Sequence, residues 1–124
     1  MTSASTPARP ATLKKRSEFL HVMSGARFRG PLFLLGVATN DRDEVRIGYT
    51  VSKRQGNSVQ RNRIKRRLRA AVLEQSGAFL AGHDHVLTAS AEVLDTPFEA
   101  LRAELARRLA KARRQTATPN ESQD

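Results

Sequence analysis

The regular alternation of apolar and polar residues in segment 45–52 predicts a strand with one buried face. Its apolar positions are Val45, Ile47, Tyr49 and Val51. Segment 32–38 (LFLLGVA) is instead almost continuously apolar, which is typical of a central strand covered on both faces. Two further short strands are predicted, one at 26–30 before Pro31 and one at 85–90 (HVLTAS). The pattern therefore predicts four strands.

Apolar residues spaced three and four positions apart predict a helix near each end of the chain. In the first helix, Ser17 is the cap and Gly25 marks the end. Its buried face carries Phe19, Val22 and Met23. In the last helix, Thr96 is the cap, Pro97 suits the first position and Glu99 completes a capping box. Its apolar stripe consists of Phe98, Leu101, Leu105 and Leu109.

Segment 53–69 (KRQGNSVQRNRIKRRLR) combines a helical period with an unusual charge. It contains eight of the chain's 22 Lys and Arg residues and no Asp or Glu. At about 100° per residue, one arc comprises Ile64, Leu68, Ala71 and Gln75. The other side comprises Asn62, Lys65, Arg66 and Arg69, with Arg61 at the boundary. Basic runs on helices are usually balanced by nearby carboxylates, but none occurs here before Glu74, which favours a polyanionic partner.

The order of helix, three strands, helix, strand and helix predicts an α+β sandwich, with helices packed on a sheet of about four strands. We expect a single domain at 13–114. The flanking segments 1–12 and 115–124 are small and polar, so we expect them to be disordered tails. The strands on either side of the basic helix would be parallel, and such crossovers are right-handed in about 98% of cases. The residues alone therefore predict a right-handed crossover.

A net charge of +10 and a pI near 11.4 indicate a nucleic acid or an anionic membrane as the partner. No apolar run approaches the roughly 20 residues of a spanning helix, and the N-terminus lacks the apolar core of a secretory signal. The chain has no Cys, which excludes disulfides and thiolate metal sites. We therefore expect a cytoplasmic protein that binds nucleic acid and no membrane.

The residues needed for autonomous hydrolysis of nucleic acid do not form a pattern in this chain. Such chemistry requires clustered carboxylates for a divalent metal, or His and Lys groups placed for acid–base work. The carboxylates are scattered, and His21 is isolated. His83 and His85 would share one side of a strand and could bind a metal, but a third ligand is not evident. We therefore expect no metal site and no catalytic residue.

Segment 53–69 resembles the signature of the bacterial ribonuclease P protein subunit. The matching positions are Lys53, Gly56, Val59, Arg61, Asn62, Lys65, Arg66 and Arg69. The family has the predicted order of elements around a four-stranded sheet, in the ribosomal protein S5 domain 2-like fold. Its strand–helix–strand crossover is left-handed, so the resemblance implies the opposite hand to the one expected above. It covers roughly residues 14–114.

The resemblance implies an RNA-binding subunit of an enzyme, with no catalysis by the protein alone. In ribonuclease P, the RNA subunit hydrolyses the phosphodiester with bound Mg²⁺. The protein assists by contacting that RNA and the 5′ leader of precursor tRNA, so that the leader is removed to give the mature tRNA 5′ end. This chain would bind no cofactor by itself and would need no obligate protein partner.

The family's binding residues can be carried over by position. Those implied to bind the catalytic RNA are Lys53, Arg54, Asn57, Arg61, Asn62, Lys65, Arg66 and Arg69. Those implied to line a leader groove between the first helix and the sheet are Arg16, Phe19, Phe33, Thr50 and Ser52. Met23 and Gly36 depart from the family pattern, in which aromatic residues are common at both positions. The groove would then bind leaders through shape and charge more than through stacking.

Other classes of function fit parts of the sequence. A structural or ribosomal RNA-binding protein without a processing role has the same size and charge, and only the motif and the Phe-bearing first helix oppose it. A DNA-binding module would place the basic helix in the major groove, but contacts of the phosphate type would not explain specificity. An independent metal-dependent ribonuclease would need carboxylates that the basic segment lacks.

Overall fold

The computed structural model describes the backbone of residues 11–40 and 42–122 and the side chains of 11–40 and 42–115. The strands are β1 (Ala11–Thr12), β2 (Ala26–Arg29), β3 (Phe33–Thr39), β4 (Arg46–Thr50) and β5 (His83–Ala89). The helices are α1 (Arg16–Met23), α2 (Ser58–Glu74) and α3 (Phe98–Ser122). Short 3-10 helices occur at Lys53–Gln55, Ser76–Ala78 and Ala91–Leu94. This order confirms the predicted α+β class.

The strands form one mixed sheet in the order β1-β4-β5-β3-β2. β4 is parallel to both β1 and β5, whereas β3 is antiparallel to β2 and β5. Because β4 and β5 are parallel neighbours, the chain must cross over between them, and α2 lies in that connection. The basic helix is therefore attached at both ends to the centre of the sheet.

The helices are divided between the two faces of the sheet. On one face, Leu35, Ile47 and Leu87 pack beneath α2 and α3 in the main core. On the other face, Val22 of α1 packs with Leu13 and Val86 in a smaller cluster. The eight residues of α1 extend for about 12 Å, whereas five strands span roughly 20 Å. The second face of the sheet is thus covered only in part.

The ordered chain extends further in both directions than predicted. Ala11 and Thr12 were expected in a disordered tail, but they pair with β4, and the Ala11 amide donates to the Val45 carbonyl at 2.9 Å. Backbone pairing of small residues leaves no alternating apolar signal in the sequence. The rest of that predicted tail, residues 1–10, lies outside the described residues. The backbone of α3 continues to Ser122, beyond the predicted domain boundary at residue 114.

Three details at helix ends also differ from the prediction. The cap of α1 is at Lys15 rather than Ser17, and the Glu18 carboxylate accepts the Lys15 amide at 3.1 Å. Gln75 was placed in the buried arc of α2, but α2 ends at Glu74, and Val72 is buried instead. The side-chain amide of Gln75 donates to the Arg102 backbone carbonyl at 2.9 Å. α3 begins at Phe98, two residues after Thr96, and the Thr96 hydroxyl donates to the Glu92 carbonyl at 2.7 Å.

An ionic network around the buried Asp84 joins α1, β4 and β5 on the partly covered face. The Arg46 guanidinium donates to both oxygens of Asp84, at 2.8 and 2.7 Å, and to Glu18 at 3.1 Å. The Asn40 amide donates to the same Asp84 at 2.8 Å. Burial alone would raise the pKa of Asp84, but the hydrogen bonds from Arg46 and Asn40 outweigh it and keep the pKa below its ordinary value. The network therefore fixes α1 against β4 and β5.

The two histidines considered as metal ligands have backbone partners. The His85 ring is fully buried, where Nε2 accepts the Leu80 amide at 3.3 Å and Nδ1 lies 3.3 Å from the Arg46 carbonyl oxygen. This arrangement requires a neutral ring with its proton on Nδ1. His83 Nδ1 is 2.9 Å from the Ala81 carbonyl oxygen. In the described part of the chain, no three His, Asp or Glu side chains are grouped as metal ligands.

Candidate RNA-binding surfaces

The loop between β4 and α2 is held in a single arrangement by its own side chains. The Gln55 amide oxygen accepts the Ala91 amide at 2.8 Å, which ties the loop to the 3-10 helix after β5. Gly56 has φ 144°, a conformation that favours glycine, and a Cβ there would lie 2.5 Å from the Gln60 amide oxygen. The loop thus presents the exposed side chains of Lys53 and Arg54 from a fixed position.

The first turn of α2 uses two of the predicted RNA-binding residues for structure. The Asn57 side chain accepts the Gln60 amide at 2.8 Å, and the Gln60 side chain accepts the Asn57 amide at 2.9 Å. This reciprocal pair is a capping box. The half-buried Arg61 donates through Nε to the Gly56 carbonyl at 3.0 Å. Asn57 and Arg61 therefore position the loop and the start of the helix. The Asn57 side-chain oxygen and the Arg61 Nε are used in these bonds and are not available to a ligand.

The remaining predicted residues lie together on the outer side of the loop and helix. We call this set the basic surface, and it consists of Lys53, Arg54, Asn62, Lys65, Arg66 and Arg69. Ile64, Leu68, Ala71 and Val72 occupy the inner side and are buried. The first carboxylate of α2, Glu74, is used by Arg102 of α3 at 3.1 Å. The helical period therefore separates the core side from a continuous cationic side.

Two neighbouring arginines were given no role by the sequence pattern. Arg63 is exposed beside the basic surface, although it was not among the predicted residues. Arg67 is half-buried and donates to the carbonyls of Leu94, at 3.1 Å, and Thr96. Its position at the border between the two arcs of the helix is the only sequence signal of this role. Arg67 therefore anchors α2 to the segment that leads into α3.

A second concave region lies beside α1, on the partly covered face of the sheet. This α1 groove has a volume of about 300 Å³ and is lined by Lys14, Arg16, Phe19, Tyr49 and Thr50. Three of the residues predicted to bind the leader, Arg16, Phe19 and Thr50, thus lie together. The Phe19 ring packs directly on Gly48, where a Cβ would be 2.5 Å from the ring. Because Gly48 has no side chain, the Phe19 ring can lie directly on the strand. This role of Gly48 was not predicted from the sequence.

The other two predicted groove residues are not part of this lining. Phe33 is only 3% exposed and packs in the main core beneath α2 and α3, on the opposite face from α1. Its ring is therefore not available for base stacking, and its inclusion in the groove was wrong. Ser52 is exposed two residues beyond Thr50. Met23 and Gly36, the two residues that depart from the family pattern, are in contact. A Cβ at Gly36 would lie 3.1 Å from the Met23 sulfur.

The described residues include no helix that is both long and apolar enough to cross a membrane.

Comparisons with known proteins assign the chain to a family. The family model described as Ribonuclease P matches residues 8–113. The ribonuclease P protein component of Bartonella quintana is 43% identical over 108 residues, covering 81% of each chain. That of Erythrobacter litoralis is 40% identical over 114 residues, covering 90% of this chain and 93% of the relative.

Solved structures agree with the sequence relatives. The RNase P protein of Staphylococcus aureus has a TM-score of 0.72 and 28% identity, covering 82% of this chain and 94% of that one. The RNase P protein of Thermotoga maritima has a TM-score of 0.74 and 25% identity, covering 81% and 96%. These matches confirm the fold that the motif implied. Because the family model and the relatives extend over most of the sequence, the chain belongs to the bacterial ribonuclease P protein family, whose members are tRNA-processing subunits.

Proposed function

We propose that this chain binds the RNA of ribonuclease P through the basic surface and the 5′ leader of precursor tRNA through the α1 groove. It would thereby assist endonucleolytic removal of the leader. The observation that carries the proposal is the basic surface itself: six side chains, no carboxylate among them, on a helix and loop fixed by the capping box and by Gln55. A structural RNA-binding role alone would not account for the groove on the opposite face of the sheet.

The phosphodiester hydrolysis is assigned to the RNA with its bound Mg²⁺, and the protein alone is assigned no catalysis. In support, the buried groups that could act as acids or bases have structural partners. Asp84 is bound by Arg46 and Asn40, and His85 by two backbone groups. The buried Glu104 pairs with Arg107 at 2.7 Å. These contacts support structural roles for the two carboxylates and the imidazole.

The contribution of the basic surface is electrostatic. Two large RNAs repel each other, and Mg²⁺ reduces that repulsion at high concentration. Each cation that neutralises a phosphate releases counterions and adds a salt-dependent increment of affinity. With the protein bound, less Mg²⁺ should therefore be needed to bring catalytic RNA and precursor together.

The α1 groove is suited to a single strand of variable sequence. Phe19 provides one ring face, and Arg16 and Lys14 provide charges for phosphates at the same cavity. Base stacking on an aromatic ring depends little on the identity of the base. With Phe33 in the core and Met23 over Gly36, Phe19 is the aromatic ring of α1 that a leader base would meet.

The test is cleavage of precursor tRNA by a ribonuclease P RNA at low Mg²⁺, with and without the chain. We expect stimulation of cleavage at the mature 5′ end and no cleavage by the protein alone. Tight RNA binding without any stimulation would overturn the proposal in favour of a structural RNA-binding role. Cleavage by the protein alone would overturn the assignment of catalysis to RNA.

Two substitutions separate the surfaces. Arg66→Ala should weaken association with the catalytic RNA, whereas Phe19→Ala should mainly reduce discrimination between precursor and mature tRNA. The comparison uses equilibrium binding to each RNA under the same conditions. Equal effects of both substitutions on both properties would refute the division of roles.

A further inference from the structure

A small cavity lies at the edge of the basic surface and has no role in the function described so far. Its volume is about 170 Å³, and it is lined by Ala11, Thr12, Ile47, Tyr49, Arg69, Val72 and Leu73. The edge strand β1 and strand β4 form one wall, and the C-terminal half of α2 forms the other. We call it the α2–β1 pocket.

The mouth of the pocket is continuous with the basic surface. At about 100° per residue, Leu73 lies within roughly 40° of both Arg66 and Arg69 on the wheel of α2, so the three share one side of the helix. Arg69 belongs both to the basic surface and to the pocket lining. A nucleic acid strand whose phosphates contact Arg66 and Arg69 therefore passes the opening.

The side chains that line the pocket are suited to binding a flat ring with polar edges. The Arg69 guanidinium carbon lies 5.3 Å from the centre of the Tyr49 ring, which places a cationic plane beside an aromatic one. Ile47 and Val72 contribute buried apolar surface, whereas Leu73 is 46% exposed. An unstacked base of RNA is recognised by this combination of aromatic face, guanidinium plane and apolar contact. Single-stranded loops and bulges supply such bases.

The polar groups at the pocket also have capacity left for a ligand. Within the described residues, neither the Tyr49 hydroxyl nor the Arg69 guanidinium makes a hydrogen bond or ion pair. Burial raises the pKa of Tyr49 to about 12, so the hydroxyl keeps its proton and can donate to a base edge. Arg69 keeps its donors for the adjoining phosphate.

We propose that the α2–β1 pocket takes one unstacked nucleobase of the ribonuclease P RNA, while Arg69 binds the phosphate next to it. The size supports a single base, because pockets that enclose larger ligands begin at roughly 300 Å³. This inference rests on the proposed binding of that RNA by the basic surface. It adds a site at which a base, and not only the backbone, is bound.

The proposal predicts a binding contribution that differs in kind from that of the basic surface. Phosphate contacts give salt-dependent affinity, whereas burial of a base against apolar and aromatic groups does not release counterions. Leu73→Ser should weaken binding to the ribonuclease P RNA about tenfold, with the slope of affinity against salt unchanged. Arg66→Ala should instead change the slope. Leu20→Ser is the matched control, since Leu20 is a 56% exposed leucine on α1.

Chemical probing of the RNA identifies the base. In the complex with the unmodified protein, one unpaired base should be protected on its Watson–Crick edge and should become reactive with Leu73→Ser, while protection of neighbouring phosphates persists. Absence of any base that responds to Leu73→Ser would overturn the pocket. Stimulation of precursor cleavage by the unmodified chain tests the proposed function separately, so failure of the pocket is distinguishable from failure of the proposed function.

A cross-link provides a second route that does not depend on a destabilising change. A benzoylphenylalanine at position 73 should cross-link to one base of the RNA on irradiation, whereas the same group at position 20 should not cross-link to that base. A cross-link within the chain, for example to residues 1–10, or to a second protein copy would overturn the proposal. Urea unfolding of both variants verifies that they fold.

Discussion

At the scale of single residues, the buried His85 illustrates how a polar side chain is accommodated in this core. Its ring packs edge-on against Phe79 with the ring centres 5.0 Å apart, and both nitrogens have backbone partners. Protonation would turn Nε2 from an acceptor into a donor facing the Leu80 amide. Burial accordingly lowers the pKa of His85 from 6.5 to about 4.

The stability of the free chain should therefore decrease as the pH is lowered from 6.5 to about 4. In this window the unfolded chain binds a proton at His85 that the folded chain does not, so the contribution is complete above pH 6.5 and lost below about 4. The loss should approach about 3 kcal/mol. Urea unfolding across this range measures it. His85→Gln should flatten the dependence.

The position of the Phe19 ring depends on Gly48. A Cβ at this position would be 2.5 Å from the ring, so Gly48→Ala should displace Phe19 and destabilise the chain by about 1–3 kcal/mol. Affinity for leader-bearing precursor should fall as well, because the ring moves in the α1 groove. Gly77→Ala is the matched control, since nothing lies within 4 Å of its Cβ position. An unchanged free energy of unfolding for Gly48→Ala would contradict the packing described.

At the scale of elements, α2 performs two tasks with adjacent arginines. Arg66 points to solvent on the basic surface, while Arg67 reaches the Leu94 and Thr96 carbonyls. Arg67→Ala should cost about 1–3 kcal/mol of stability, because two part-buried carbonyls lose a charged donor. Arg66→Ala should change stability by less than about 0.5 kcal/mol and reduce the salt slope of RNA binding by about one.

Urea unfolding and salt-dependent RNA binding of the two variants measure these effects. Arg102→Ala, on the paired surface of α3, serves as the control for removal of a surface cation, since Arg102 binds Glu74 at 3.1 Å. If Arg66→Ala and Arg67→Ala reduced stability equally, the two sides of the helix would not differ as described.

The same helix shows how far the sequence could be interpreted. The period of α2 distinguishes its core side from its basic side, so most of the basic surface was predictable. β3 is apolar on both faces, and such a run does not reveal which residues face α1. The register decides it, with Phe33 opposite Ala89 and directed into the main core. β1 was missed because two small residues join the sheet through backbone bonds alone.

At the scale of the whole molecule, the charge of +10 is distributed unevenly. Several cations of α3 have partners: Arg107 and Arg108 pair with Glu104, and Arg113 donates to the Ala78 carbonyl at 2.6 Å. The basic surface on α2 has no acidic residue among its members. Neighbouring cations of the basic surface therefore repel one another in the free chain, and a bound polyanion would relieve this repulsion.

Salt should consequently act in opposite directions on the free chain and on its complex. Between roughly 0.01 M and 0.15 M salt the Debye length falls from about 30 Å to about 8 Å, so screening should stabilise the free chain. The gain should be on the order of 1 kcal/mol, since each exposed pair contributes under about 1 kcal/mol. RNA affinity should fall over the same range, because release of the same counterions into a more concentrated salt solution gains less free energy.

Unfolding and binding titrations at matched salt concentrations test this opposition. The double substitution Arg54→Gln with Arg66→Gln should reduce both the stabilisation of the free chain by salt and the salt slope of binding, because it removes unpaired charge from the basic surface. Arg102→Gln should instead lower stability at low salt, since it breaks the ion pair with Glu74. If the double substitution left the salt dependence of folding unchanged, repulsion within the basic surface would not limit the stability of the free chain.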